Sequence, residues 1–326
     1  MKRNYGEIKF GFITDTHVDN KYDNRLDDAQ ASILYKIKQC YALAEKNNCD
    51  FMLHGGDVFN RPSIKEKKND IFNRLRKIIV NTKIDSYFIL GQHDVNYSYD
   101  CYKDSTLKML SGSCDGKFEL IEDYITINGV NIYASHVYQN IQDRINEVKP
   151  NCNANILVAH CLLYDKPKMF ETIPIKDIKS DNVNLILSGD LHCGFEFQKQ
   201  NNTYFYNPGS LLRKAKDQKD RKPKFAIFSI SEFFGDYQIE IKEFELDCLE
   251  GDSCFDLSEE IKAKVSIALE NNTEDKNIKE FAQEAVSFKA KNIDIFEFIY
   301  QESVKNNLDQ KITNNILSYR DKIETE

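Results

Sequence analysis

The sequence predicts an α/β layered protein with a small helical region at its carboxyl end. Three observations predict it. Short apolar, β-branched or aromatic runs alternate with polar or helical stretches through residues 8–230, two long helical segments lie between the first of these runs, and from about Leu246 the pattern changes to helical spacing alone.

Taken in order, strands are expected at Ile8 to Thr14, Asp50 to His54, Ser86 to Leu90, Tyr124 to Ile127, Val130 to Ala134, Ile156 to Ala159, Val183 to Leu187, Thr203 to Tyr206, Phe225 to Ile230 and Tyr237 to Phe244. Helices are expected at Leu26 to Lys46 and Lys65 to Val80. Asn128-Gly129 and Asn201-Asn202 read as hairpin turns, so the later strands should form a mixed or antiparallel sheet. Asp256 with Glu259 makes a capping box, and Leu257, Ile261, Val265 and Leu269 follow at helical spacing. Two more stripes follow, one through Ile278, Phe281 and Phe288 and one through Leu308, Ile312, Ile316 and Tyr319. The domain boundaries expected are therefore 1–250 and 251–326.

At 326 residues the chain can bury a full core. Its longest apolar runs fall well short of the ~18 residues that span a bilayer, and residues 1–14 show no small-residue cleavage pattern, so a cytoplasmic protein with no membrane partner is expected. Nine cysteines without a C-x-x-C pair read as reduced thiols rather than a disulfide framework or a zinc site. The net charge of -8 is unevenly placed: residues 231–326 carry 11 basic against 23 acidic residues, leaving 33 against 29 in residues 1–230. The acidity belongs to the carboxyl-terminal region.

Five apolar runs lead directly into side chains that bind metals or move protons. Phe10 to Ile13 leads to Asp15-Thr16-His17, Phe51 to Leu53 to His54-Gly55-Gly56-Asp57, and Tyr87 to Leu90 to Gly91-Gln92-His93-Asp94. Ile156 to Ala159 leads to His160, and Leu185 to Leu187 to Ser188-Gly189-Asp190-Leu191-His192. Ligand crevices of layered α/β folds lie outside the carboxyl ends of strands, so the five groups can converge. Four of six histidines, His17, His93, His160 and His192, read as site residues; His54, which opens the second group, and His136 read as core residues. Carboxylate and amide oxygens mixed with imidazole, without thiolate, suit Mn, Mg or Fe better than structural zinc.

In this order the motifs resemble those of the calcineurin-like metallophosphoesterases: D-x-H, G-D, G-N-H-D, a lone H after a strand, and G-H-x-H. Within that superfamily, Gly55-Gly56-Asp57-Val58-Phe59-Asn60-Arg61-Pro62 and Asn207-Pro208-Gly209-Ser210-Leu211-Leu212-Arg213 resemble SbcD, the nuclease subunit of an SMC-like ATPase complex. The resemblance covers roughly residues 8 to 250. It implies an α/β/β/α sandwich, a DNA exonuclease or endonuclease of repair, recombination or replication, an SbcC-type ATPase partner, and a homodimer as one candidate assembly.

Carried over residue by residue, the resemblance puts Asp15, His17, Asp57 and His192 on a first metal, and Gln92, His160 and Asp190 with bridging Asp57 on a second. Two divalent cations are implied, Mn first with Mg or Fe as alternatives. His93 would contact the phosphate and protonate the departing oxygen, with Asp94 orienting its ring. The pattern is broken twice, by Gln92 where Asn is usual and Asp190 where His is usual. The longer amide and the shorter carboxylate could compensate, hardening the site toward Mn or Mg; a weakened second site is the competing reading.

Arg61 to Lys77 and Arg213 to Lys224 each hold seven Lys+Arg and two acidic residues, and both follow motif loops. They suggest a grip on a phosphate backbone, against the reading of an ordinary solvated surface. Alternatives are an enzyme on small phosphoesters and a scaffold with an impaired site. The amphipathic tail would dock the ATPase or pack on the protein's own sheet.

Overall fold

The computed structural model describes residues 7–22, 25–64, 70–95, 98–150, 153–165, 172–233 and 236–255. The stripes expected beyond Asp256, and the first turn of the helix expected from Lys65, lie outside the described residues. Two compact units are distinguished: one runs to residue 249 without residues 24–27, and those four belong with the segment from 250 onward.

The first unit holds fourteen strands: β1 Ile8–Ile13, β2 Phe51–His54, β3 Asp85–Phe88, β4 Phe118–Leu120, β5 Tyr124–Ile127, β6 Val130–Ser135, β7 Ala154–His160, β8 Leu163–Tyr164, β9 Ile173–Pro174, β10 Leu185–Gly189, β11 Phe195–Gln200, β12 Thr203–Asn207, β13 Lys224–Phe233 and β14 Asp236–Glu245. Its helices are α1 Ala29–Lys46, α2 Asp70–Asn81, α3 Thr106–Ser113 and α4 Ile141–Glu147. In the second unit, α5 spans Gly251–Cys254, and Arg25 pairs with Asp27 at 2.7 Å while its guanidinium lies over the Phe255 ring.

Two six-stranded sheets carry the architecture, ordered β14-β13-β1-β2-β3-β4 and β11-β12-β10-β7-β6-β5. β1 through β4 run parallel, as do β12, β10, β7 and β6, while β13, β14, β5 and β11 join antiparallel. The mixed second sheet matches the expectation from the hairpin turns. Side chains alternate between layers with the strand period of two. Phe10 and Phe12 of β1, Phe51 and Leu53 of β2, Ile156 and Val158 of β7, and Leu185 and Leu187 of β10 meet in one core between the sheets. There Phe10 stacks on Phe51 and Phe228 with ring centroids 5.2 and 5.3 Å apart.

The opposite faces bury against helices. Met52, Phe225 and Ile227 pack under Ile33, Ile37 and Cys40 of α1 and Leu75 and Ile79 of α2. Leu157, Ala159 and Ile186 pack under Ile141 and Ile145 of α4. The result is an α/β/β/α sandwich whose fully buried aromatic and aliphatic side chains each contribute roughly 1.5–3 kcal/mol. α1 starts three residues later than its expected Leu26, because Asp28 caps it, accepting from the Ala31 N–H at 2.9 Å.

Candidate metal centre

Parallel register aligns the loops that leave the strands. Ile13 pairs with His54, and the chains continue side by side: Asp15 N donates to Gly56 O at 3.1 Å, His17 N to Asp57 O at 3.0 Å and Val18 N to Val58 O at 2.9 Å. In the second sheet Gly189 pairs with His160, so Asp190 emerges beside that ring. The two sheets meet where Asp190 N donates to the Asp15 carboxylate at 3.1 Å. His192 is fixed from the loop after β12, whose Ser210 N donates to the His192 carbonyl at 3.0 Å.

Asp15, His17, Asp57, Gln92, His93, His160, Asp190 and His192 are thereby brought together, and all of them lie on loops or strand ends as expected. His17 Nε2 lies 2.9 Å from His192 Nε2 and 3.8 Å from Asp15 Oδ1; His192 Nε2 is 3.7 Å from the same oxygen. Asp57 Oδ2 stands 3.7 Å from His17 Nε2, 3.6 Å from His160 Nε2 and 4.0 Å from His93 Nε2. Gln92 joins the other two: its Oε1 faces His160 Nε2 at 2.7 Å and its amide donates to Asp190 Oδ1 at 2.8 Å.

The donor set fits divalent cations. Ligands about 2.1 Å from a shared ion, at angles of roughly 90 to 120°, stand about 3 to 3.6 Å apart, close to the observed separations. Asp57 Oδ2 is buried without a hydrogen-bond partner while three imidazoles face it. A buried anionic oxygen left in that state is costly unless a cation meets it.

The electrostatics agree. Burial pushes the Asp15 carboxyl up to about 7, with the neighbouring Asp57 charge adding to the rise. Burial is the largest influence on Asp57 and acts to raise it, but His160, His17 and His93 together outweigh it and hold the carboxyl below its ordinary range. For His160 burial pulls down, yet the Asp57 carboxylate lifts the ring to about 10. Its nitrogens face Gly55 O at 2.7 Å and Gln92 Oε1, and Nε2 must be free of a proton for a cation to bind there. Burial keeps His17 well below its usual value and His192 at about 4, leaving neutral rings suited to ligation.

His93 differs from the buried His17 and His160 rings and the partly buried His192. Its side chain is 37% exposed, the most open of the site histidines, and its Nδ1 donates to the Asn60 carbonyl at 2.8 Å, which turns Nε2 toward the centre. The expectation that Asp94 orients this ring is corrected. Asp94 is fully buried and its oxygens accept from Gly91 N at 3.0 Å and Phe59 N at 3.2 Å. It staples the β3 loop to the β2 loop, and the main-chain carbonyl of Asn60 takes the role assigned to it.

His54 and His136 are structural, as read. His54 is buried and held down to about 3 by that burial; its ring links Gly56 N and Thr16 Oγ1. His136 accepts from Leu90 N and faces Glu122 O, each at 3.1 Å.

Folding puts most of the two basic stretches to other uses. Arg213 is buried and donates to the carbonyls of Lys219 and Leu249, Arg221 donates to Ser210, and Lys222 and Lys224 pair with Glu245 and with Glu196 and Glu243. Arg76 caps Ser113 O at 2.7 Å, while Arg74 and Lys77 line a groove of about 590 Å³ between α1 and α2. Nearer the site, Arg61 pairs with Asp19 at 2.7 Å and Lys214 Nζ donates to Asn60 Oδ1 at 2.8 Å. Sequence reading missed Asn60 and the particular role of Lys214, which lie 154 positions apart.

Residues 8–194 match the sequence profile of the calcineurin-like phosphoesterases. No curated protein matches the chain in sequence. Among solved structures it is similar to a Thermus thermophilus protein, at 11% identity over 72% of this chain and 99% of that one, with a TM-score of 0.43. It is also similar to a dimetal phosphatase from Danio rerio, at 8% identity over 74% and 99% with a TM-score of 0.43, and to a predicted phosphoesterase from Streptococcus pneumoniae, at 11% identity over 74% and 99% with a TM-score of 0.33. No helix among the described residues is long and apolar enough to cross a membrane.

Proposed function

Since the chain belongs to the calcineurin-like phosphoesterase family, we propose that it hydrolyses phosphodiester bonds in DNA, with Asp15, His17, Asp57 and His192 holding one divalent cation and Asp57, Gln92, His160 and Asp190 a second. The observation that carries this reading is Asp57 Oδ2, buried, unpartnered and faced by His17, His160 and His93. Cations bound there, manganese first, supply charge that neutralises a phosphate and acidifies a water.

The protein's own residues do the rest. Asp57 would serve both cations, and the neutral His17 and His192 rings would offer Nε2. Gln92 and Asp190 reach each other directly, so the longer amide meets the shorter carboxylate and the exchange keeps the site closed on that side. With its Nδ1 proton committed to Asn60, His93 can give a proton to the departing oxygen only from Nε2. DNA as substrate, and an SMC-like ATPase as partner, are supported by the two SbcD-like segments, the first of which holds both Asp57 and Asn60.

The test uses chelator-stripped protein reloaded with manganese and assayed on single-stranded DNA, double-stranded DNA, bis(p-nitrophenyl) phosphate and p-nitrophenyl phosphate. Manganese-dependent cleavage of DNA is expected, with co-purification of the ATPase when the two are co-expressed. Turnover of small esters with DNA untouched would move the assignment to small phosphoesters. Absence of metal-dependent turnover on every diester would overturn it.

A further inference from the structure

Lys214 occupies an unusual position for a lysine. It is half-buried, yet none of the described carboxylates pairs with it; its ammonium donates to a neutral amide oxygen, Asn60 Oδ1, at 2.8 Å. Asp57, Asp15 and Asp19 act on it only through their charge, and Asp19 is already engaged. Its Oδ2 accepts from Arg61 Nε at 2.9 Å, from Arg61 Nη2 at 2.7 Å and from Asn60 Nδ2 at 2.8 Å. Asn60 therefore holds two cation-capable groups at once, Lys214 through its side chain and His93 through its main-chain carbonyl at 2.8 Å.

The position is anchored from both ends. Lys214 N donates to Gln218 Oε1 at 3.1 Å, and the loop before it is tied to the metal centre through Ser210 N to His192 O and Leu211 N to Asp15 O. The ammonium thus stands on the rim of the centre, on the side chain of Asn60, whose main-chain carbonyl holds His93, and near enough to act on His17 and His192. Removing a lysine from water without an anion costs free energy, and a neutral residue could donate to Asn60 as well. A charge kept there is suited to a ligand that brings its own negative charge.

We propose that Lys214 is a substrate-binding residue, its ammonium taking a non-bridging oxygen of the reacting phosphate on the His93 side of the centre. This rests on the phosphodiesterase reading. A fixed ammonium is a compact point charge, and placed beside the departing oxygen's proton donor it both orients the phosphate and offsets charge that builds up in the transition state.

The experiment compares Lys214→Met, Lys214→Gln and Lys214→Arg in the full chain loaded with manganese. The neutral variants should keep wild-type metal content by elemental analysis. They should bind inorganic phosphate at least tenfold more weakly by calorimetry and lose at least tenfold in kcat/KM on bis(p-nitrophenyl) phosphate, with Lys214→Arg recovering part of both. Unchanged phosphate affinity, or loss of a metal equivalent, would overturn the assignment in favour of a structural prop for Asn60. If neither neutral variant folds, acetylation of Lys214 in the wild-type protein, read by mass spectrometry with and without phosphate, decides the matter: protection supports the contact and its absence refutes it. Phosphate binding without turnover of any diester would defeat the phosphodiesterase reading separately, leaving the affinity comparison to judge Lys214.

Discussion

The Nδ1 proton of His93 is held by the main-chain carbonyl of Asn60 at 2.8 Å, so the orientation of the ring is built into the backbone of the loop after β2. Substituting the Asn60 side chain cannot remove that acceptor. The ring's other nitrogen is 4.0 Å from Asp57 Oδ2, placing it at the centre's open edge.

His93→Ala is therefore expected to lower kcat at least a hundredfold, within the 10²- to 10⁴-fold range of proton transfer by a placed side chain, while two metal equivalents remain. Elemental analysis beside steady-state kinetics checks this. A lost equivalent would show His93 to be a ligand.

Asp57→Ala should abolish metal binding at both positions and lower DNA cleavage by at least about 10²-fold, the scale seen when preorganised charge is removed. The same variant removes the carboxylate that His160 Nε2 faces 3.6 Å away. Retained cleavage in a contaminant-controlled preparation would sink the two-cation reading.

Gly91→Ala probes the closeness of the β2 and β3 loops. A Cβ on residue 91 would lie 2.1 Å from Asp57 Oδ1 and 2.5 Å from Asp57 N. Forcing such an overlap typically costs about 1–3 kcal/mol and shifts the backbone. A lower urea midpoint together with reduced manganese affinity is expected; wild-type values for both would mean the loop gives way at no cost.

The pH dependence of stability should carry a contribution from His136. Burial holds this ring below its ordinary value, and its Nδ1 accepts from Leu90 N, so the folded protein keeps it neutral. Below about pH 6.5 the unfolded chain takes up a proton that the folded one refuses. Stability must then fall as pH drops from about 6.5 toward the depressed folded value, by at most about 1.4 kcal/mol per pH unit. Urea titrations of His136→Gln from pH 7.5 to 5 should show a shallower slope than the wild type. Parallel slopes would mean the ring titrates normally.

Much of the fold was legible because strand and layer periods coincide. Phe10 and Phe12 face one core and Ile13 the other, as their alternation indicates. The short elements were not: β4 has three residues and α4 seven, fewer than two turns, and neither is long enough to display a period. At the site, metal-type residues announce themselves when each ends an apolar run, so the seven candidate ligands and His93 could be expected to converge, and two histidines could be set aside as structural. Asp94 could not be assigned correctly, because its partners are the backbone N–H groups of Gly91 and Phe59, which carry no sequence identity. The pairing of Asn60 with Lys214 depends on bringing the loops after β2 and β12 together. Residue types alone gave the basic stretches a common purpose that folding divides among carbonyl caps, surface pairs and one rim cation.

Four of the proposed ligands, Asp15, His17, Asp57 and Asp190, hold left-handed backbone with φ of 50, 44, 54 and 73°. Side-chain-bearing residues adopt it at a cost of about 1 kcal/mol that glycine avoids. Selection for heat resistance and selection for turnover therefore pull these four codons in opposite directions. A laboratory screen that rewards only survival on heating should carry glycine into positions such as His17 and Asp190 and return a hardier protein with no chemistry. Persistence of all four side chains through many generations of such a screen, with turnover unrewarded, would show that they stabilise the fold in their own right.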